Sequence, residues 1–174
     1  MQRAEDKTIL VVDDEPNVRQ YLQTVLEDAG FNVVTAADGV EALELIEQKM
    51  PDFISLDLIM PRKSGHKLLY ELRKHKQWSR IPVLIVTAHA RDELGKGELQ
   101  DLLENRVMSG PGTYLEKPVN PLTYVQSIQR ALGIQQTEQT ADKISLKEKL
   151  QESLQNASPD ALRMALEALK KNKD

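Results

Sequence analysis

Ile9-Leu10-Val11-Val12-Asp13-Asp14-Glu15-Pro16 decides the fold of this chain. Four consecutive aliphatic residues are too few for a helix and carry no polar face, so they read as a strand buried on both sides in a parallel sheet. Pro16 suits a first helical position. From it Val18, Tyr21, Leu22, Val25, Leu26 and Ala29 share one helical face, and Gly30 provides the stop. The same alternation continues outward from this unit. Strands are expected at 31–35, 53–56, 82–86 and 113–115. Helices are expected at about 38–49, 64–75, 91–107 and 121–132, the last ended by Gly133. Five strands alternating with five helices predict an α/β fold, a doubly wound parallel sheet. Any site in such a sheet lies in the crevice beyond the carboxyl ends of the strands.

Composition agrees with a folded, soluble domain. The chain has 174 residues, 40% hydrophobic and 29% charged, with 23 Lys and Arg against 27 Asp and Glu. That balance excludes a protein whose main task is to coat nucleic acid. With no cysteine there is no disulfide framework and no thiolate chemistry, which suits a reducing cytoplasm. No apolar run approaches the roughly 20 residues that cross a bilayer, so a cytoplasmic location without membrane contact is expected.

Asp13 and Asp14 follow the first expected strand, Asp57 the third, Thr87 the fourth and Lys117 the fifth. One Asp after a strand is ordinarily a cap or a turn residue. Here the set falls after four of the five strands, on the one edge where a site can form. Three converging carboxylates repel one another unless a cation sits among them. All-oxygen donors without His or Cys suit Mg2+. A carboxylate nucleophile, a metal, a lysine and a hydroxyl are together what an aspartyl phosphate requires.

These residues lie in longer motifs: Val11-Val12-Asp13-Asp14-Glu15-Pro16, Asp57-Leu58-Ile59-Met60-Pro61 with Gly65, Val86-Thr87-Ala88, and Glu116-Lys117-Pro118. Residues 6–133 thereby closely resemble the response-regulator receiver domain of bacterial two-component signalling. The resemblance implies a flavodoxin-like sheet of order 2-1-3-4-5, as in chemotaxis regulators. It implies that Asp57 accepts a phosphoryl group from a sensor histidine kinase or phosphotransfer protein. Asp13, Asp14, Asp57 and the backbone carbonyl of Ile59 would hold Mg2+, and Lys117 would pair with a phosphate oxygen. Thr87 would swing toward the phosphate while Tyr114, the switch aromatic, turns inward. Ile59 and His89 occupy the positions that tune dephosphorylation, and the apolar Ile59 implies slow to moderate self-hydrolysis. Such a domain is an enzyme only toward its own phosphorylation and dephosphorylation.

Two features depart from that pattern. Thirty positions separate Thr87 from Lys117, a longer interval than usual, containing Gly95, Gly97 and Ser109-Gly110-Pro111-Gly112. The second is the tail. Residues 134–142 are polar and aperiodic and read as a linker. Residues 143–174 read as a helical hairpin, with Leu146, Leu150 and Leu154 in one stripe and Leu162, Ala165, Leu166 and Leu169 in another. Ser158-Pro159-Asp160 is a strong helix start. From Asp142 onward seven basic residues stand against six acidic ones, which gives no electrostatic footprint for DNA. A downstream protein partner or a homodimer is expected, through the hairpin or the face of the fourth helix, fifth strand and fifth helix. The rivals are a pseudo-receiver scaffold without phosphoryl transfer, a DNA-binding regulator acting through the tail, and a haloacid-dehalogenase-type phosphatase. The last wants an acid where this chain has Ile59. Trp78 is expected to pack partly rather than to form a contact site.

Overall fold

The computed structural model describes residues 3–60, 64–88, 114–135 and 138–164. The chain divides into two compact units, Met1–Gln136 and Thr137–Asp174.

In the first unit the aliphatic runs form strands β1 (Thr8–Val12), β2 (Asn32–Ala36), β3 (Phe53–Leu56), β4 (Val83–Thr87) and β5 (Tyr114–Glu116). All pair in parallel, in the order β2-β1-β3-β4-β5. This is the expected doubly wound sheet. β1, β3 and β4 are its interior strands, and the side chains of Ile9 through Val12 and Phe53 through Leu56 are all buried, as unbroken apolar runs require.

Four helices of this unit are described: α1 (Pro16–Asp28), α2 (Gly39–Gln48), α3 (Gly65–Lys74) and α4 (Pro121–Ala131). Their starts follow from local chemistry. Pro16 and Pro121 occupy first-turn positions. Asp38 caps α2 by accepting from Val40 N at 2.8 Å and Glu41 N at 3.0 Å. Ser64 caps α3 through Lys67 N at 3.4 Å, and Asn120 caps α4 through Thr123 N at 2.9 Å. Such caps satisfy amide groups that the first helical turn leaves unpaired. Gly30 takes a positive φ of 92° where the chain leaves α1 for β2. α2 and α3 cover one face, where Leu10, Val12, Ile54 and Leu56 meet Ile46, Leu68, Leu69 and Leu72. α1 packs against β1, β2 and α4. Trp78 lies partly buried against the first cluster, as expected, and stacks on His75 with ring centroids 3.9 Å apart.

Several boundaries differ from the expectation, those of the first unit by a residue. Thr87 is the last residue of β4 rather than the first beyond it, because the ladder continues to a Thr87–Glu116 pair. β5 reaches Glu116, one residue further than expected. In the second unit, α5 runs Glu138–Gln155, so residues 138–142 of the expected linker are helical. Residues 138–142 show no apolar period in the sequence, so periodicity does not register this turn. The chain is helical again over 159–164, with Ser158 Oγ accepting from Ala161 N at 3.3 Å as the Ser-Pro-Asp start requires. The helix expected at 91–107, His89, the Ser109–Gly112 turn, Pro61, and the later part of the tail with Leu166 and Leu169 lie outside the described residues. No helix among the described residues is long and apolar enough to cross a membrane.

Candidate functional site

Parallel strands end on the same side, so the residues that follow β1, β3 and β5 converge. Asp13 extends β1, its N–H bonded to Ala36 O at 3.1 Å, and Asp57 extends β3, its N–H bonded to Val12 O at 2.9 Å. Asp13 is 1% and Asp57 5% exposed; these figures matter because a carboxylate that buried must be paired or neutralised. The chain pairs them with Lys117. Its Nζ lies 2.9 Å from Asp13 Oδ2, 2.9 Å from Asp57 Oδ2 and 3.1 Å from Glu15 Oε1. Burial alone would pull the Lys117 ammonium down. Its bonds to Asp13 and Asp57, and their charges, outweigh that and hold it above the ordinary lysine range. Burial pushes the Asp13 carboxyl up, against the opposing pull of Lys117 and the Glu15 N–H.

Backbone contacts fix the remaining lone pairs. Glu15 N donates to Asp13 Oδ1 at 2.9 Å, Ile59 N donates to Asp57 Oδ1 at 3.1 Å, and Arg19 Nη1 donates to the Asp13 carbonyl at 2.7 Å. Gly65 holds the loop after Asp57 against the start of α3, its N–H bonded to Leu58 O at 3.1 Å. A Cβ at Gly65 would collide with the Asp57 carbonyl oxygen and stand 2.6 Å from Leu58 Cα, so this close approach of two backbones demands glycine.

Thr87 sits beside this cluster. Its N-terminal neighbours pair with β3 and β5, its carbonyl accepts from Lys117 N at 3.1 Å, and its hydroxyl is fully buried without a hydrogen-bond partner. A buried unpaired hydroxyl is costly. Tyr114, on the outer strand β5, is 44% exposed and Ile59 is 48% exposed at the mouth of the cluster.

Asp13, Asp14 and Asp57 each offer a carboxylate oxygen, and the three atoms lie within 4.8 Å of one another. Oxygens around an octahedral magnesium stand about 3–4 Å apart, so a small inward shift of these side chains suits that ion. The all-oxygen set, with no imidazole or thiolate, fits it chemically.

Sequence reasoning thus anticipates Asp13, Asp14, Asp57, Thr87 and Lys117, which the fold brings to one edge. It missed Glu15 as a third partner of Lys117. Position offered the signal, since Glu15 directly follows the two acids, but nothing in an exposed glutamate at the N-cap of α1 declares its reach. It also missed Tyr124, a wholly buried residue of α4 whose hydroxyl makes no hydrogen bond of good geometry. Burial pushes that phenol up, Ser55 draws it back, and the charge of Asp13 adds to the rise.

A family model described as the response regulator receiver domain matches residues 9–129. The chain belongs to that family, the regulatory receivers of two-component systems. It is 33% identical over 153 residues to response regulator Rre1 of Synechocystis, aligning 87% of this chain with 62% of that protein. The chain therefore spans less than two thirds of that relative's length. Among solved structures it is similar to the chemotaxis response regulator CheY4 of Vibrio cholerae, with 34% identity and TM-score 0.61 over 72% of this chain and 98% of that one. It is also similar to the receiver domain of the sensor histidine kinase PA1611 of Pseudomonas aeruginosa, with 27% identity and TM-score 0.61 over 73% and 98%. That structure is described with a magnesium ion coordinated in its active site cleft.

Proposed function

We propose that Asp57 is the phosphoacceptor of a signalling receiver, spanning residues 1–133, that changes its protein contacts when phosphorylated. The observation that carries this reading is the buried Asp57 carboxylate, bonded to Lys117 at 2.9 Å and grouped with Asp13 and Asp14. Receiver domains interact with histidine kinases or phosphotransfer proteins, and a phosphohistidine is the donor this site suits. An Asp57 carboxylate oxygen attacks phosphorus, an O–P bond forms, and the P–N bond breaks. The imidazole leaves with that electron pair and takes up a proton. Asp13, Asp14, Asp57 and the Ile59 carbonyl would hold magnesium, which would supply charge neutralisation for the phosphoryl oxygens. Lys117 pairs with one phosphoryl oxygen and the unpaired Thr87 hydroxyl donates to another. Tyr114, exposed on β5, then has room to turn inward and alter the face that partners meet. The apolar Ile59 cannot orient an attacking water, so self-hydrolysis is slow to moderate.

A beryllofluoride titration of the full chain, followed by NMR, tests this. The expected response requires magnesium, reaches Thr87 and Tyr114, and is absent in Asp57→Ala. A response that survives Asp57→Ala, or none in the wild type, refutes the reading and favours an interaction scaffold.

A further inference from the structure

Residues 73–80, Arg-Lys-His-Lys-Gln-Trp-Ser-Arg, hold four Lys or Arg and one His and no acid, in a chain with formal charge −4. Two of these cations have local tasks. Arg73 Nη1 donates to Ser79 O at 2.9 Å, and Lys74 lies 4.3 Å over the Tyr70 ring. Both also sit in the last turn of α3, where positive charge suits the helix end. Lys76 and Arg80 are different. They are exposed, and no ion pair or side-chain hydrogen bond engages either among the described residues.

Lys76 and Arg80 border a cavity of about 640 Å³ whose apolar wall is Met50, Pro51, Ile81 and Pro82. Met50 is 54% exposed, a large apolar side chain left in water beside two free cations. Asp52 also faces this recess, but its carboxylate is engaged by Lys7 Nζ at 3.2 Å and by Thr8 N at 2.8 Å. The cations are therefore not answered from within. The wall is also fixed before anything binds. A short 3-10 turn, Trp78–Arg80, is held by Ser79 N to His75 O at 2.9 Å and Ile81 N to Trp78 O at 3.0 Å, and Trp78 stacks on His75. Preformed walls lower the ordering cost of association.

The recess lies at the strand starts, since residues 50–52 precede β3 and 80–82 precede β4. Asp57 and Thr87 lie at the strand ends. Five residues of strand at about 3.3 Å each place Asp52 about 16 Å from Asp57. This surface is separate from the acid cluster.

We propose that the recess docks an acidic peptide segment of a partner protein, with an apolar side chain against Met50 and Ile81 and flanking carboxylates on Lys76 and Arg80. An apolar centre with a charged rim is the anatomy of a protein interface, and Met and Arg are enriched there. A polyanion such as RNA suits it less, because two cations on either side of an apolar recess release few counterions. The site does not depend on phosphorylation of Asp57.

Trp78 is the sole tryptophan and adjoins Gln77 in the wall, so its fluorescence reports on the site in the full-length protein. The probe is a synthetic peptide alternating Glu and Leu, compared with one alternating Lys and Leu and with an all-Glu peptide. The Glu–Leu peptide should bind best, shift NMR signals of Met50, Gln77 and Arg80, and weaken as salt rises. The double variant Lys76→Glu with Arg80→Glu should bind it at least tenfold more weakly. Circular dichroism and the beryllofluoride response of that variant should match wild type, since neither residue touches the acid cluster. Equal binding of the Lys–Leu peptide, unchanged affinity in the double variant, or shifts confined to other surfaces would overturn the proposal. So would stronger competition by polyuridylate or anionic vesicles, or a dimer that the double variant abolishes, because each names a different occupant.

Discussion

Replacing Lys117 by Met leaves two carboxylates almost out of solvent and facing each other without their shared cation. The side chains of Asp13 and Asp57 are 2% and 6% exposed, and that of Lys117 is 11% exposed, with 2.9 Å separations on both sides. Removing one partner of such a buried group costs about 3–5 kcal/mol, because an uncompensated charge remains. With a urea dependence of about 2 kcal/mol per molar, the unfolding midpoint should fall by about 1.5–2.5 M in EDTA at pH 7.5. The pH dependence is specific. Lys117 is held above the ordinary lysine range, so its stabilisation is complete below about pH 10 and is lost only as pH rises through its folded value. The deficit at pH 7.5 is thus loss of a partner, not of a proton. Asp13 is raised, chiefly by burial, so its charge opposes folding at neutral pH and that penalty lifts as pH falls through the folded value. Without Lys117 the penalty grows, and the difference between variant and wild type should narrow on going from pH 7.5 to pH 5. Millimolar magnesium should recover part of the deficit at pH 7.5, since a ligand bound only by the folded state stabilises it. Equal midpoints in EDTA at pH 7.5 would show that the two acids are solvated and that this ion cluster carries no energy.

Gly65→Ala should lower the melting temperature by about 5 °C, because a methyl against the Asp57 carbonyl forces two backbones apart, a cost of about 2 kcal/mol that exceeds the helix-propensity gain. An unchanged or higher melting temperature by calorimetry would mean that propensity wins. Thr87→Val removes a buried hydroxyl that has no partner, so chemical denaturation should show unchanged stability or a gain of up to about 1 kcal/mol, while the beryllofluoride-induced shifts at Tyr114 disappear. A loss above about 1 kcal/mol would show that the hydroxyl is bonded in the resting protein. Ile59→Asn changes an exposed side chain and should leave stability within about 0.5 kcal/mol. Phosphoryl loss from the variant, followed with radiolabelled phosphate, should be several-fold faster; faster decay in wild type refutes the role given to Ile59.

Most of the sheet was legible because burial on both faces leaves no alternative to an unbroken aliphatic run. Ile9 through Val12 can be neither helix nor surface, and once that strand is set, Asp13 must stand at its carboxyl edge. The acid cluster was legible for the same reason, since strand ends in a parallel sheet meet at one side. Legibility stopped where position along the chain does not encode reach. Glu15 is as polar and exposed as any helix-cap residue, yet it shares Lys117 across 102 positions. The clash that fixes Gly65 depends on how closely α3 meets the loop after Asp57, a distance set by packing in three dimensions. The start of α5 was misplaced because residues 138–142 are helical without an apolar stripe, and periodicity cannot register a helix that shows none. The pairing of Lys76 and Arg80 with an apolar recess was equally hidden, because the recess is built from two segments about 30 residues apart.

If Asp57 accepts a phosphoryl group as proposed, the charges around Lys117 determine where its effect would fall. Asp13, Asp14 and Asp57 carry three negative charges against one ammonium, and that ammonium is also shared with Glu15. A divalent cation balances the remaining deficit. A phosphoryl group then adds about 1.5–2 negative charges and competes for the same ammonium, so Lys117 cannot keep all three carboxylates once it arrives. The backbone N–H of Lys117 is bonded to the Thr87 carbonyl at 3.1 Å, and its chain neighbour Glu116 ends β5. β5 is three residues long and lies at the edge of the sheet, paired only with β4. Asp13 and Asp57, in contrast, extend interior strands held on both sides. On the proposed reading, the new charge would move the edge rather than the centre and would draw the buried Thr87 hydroxyl toward it. Tyr114, at the exposed start of that edge strand, would then be where a charge added to Asp57 becomes a change in shape.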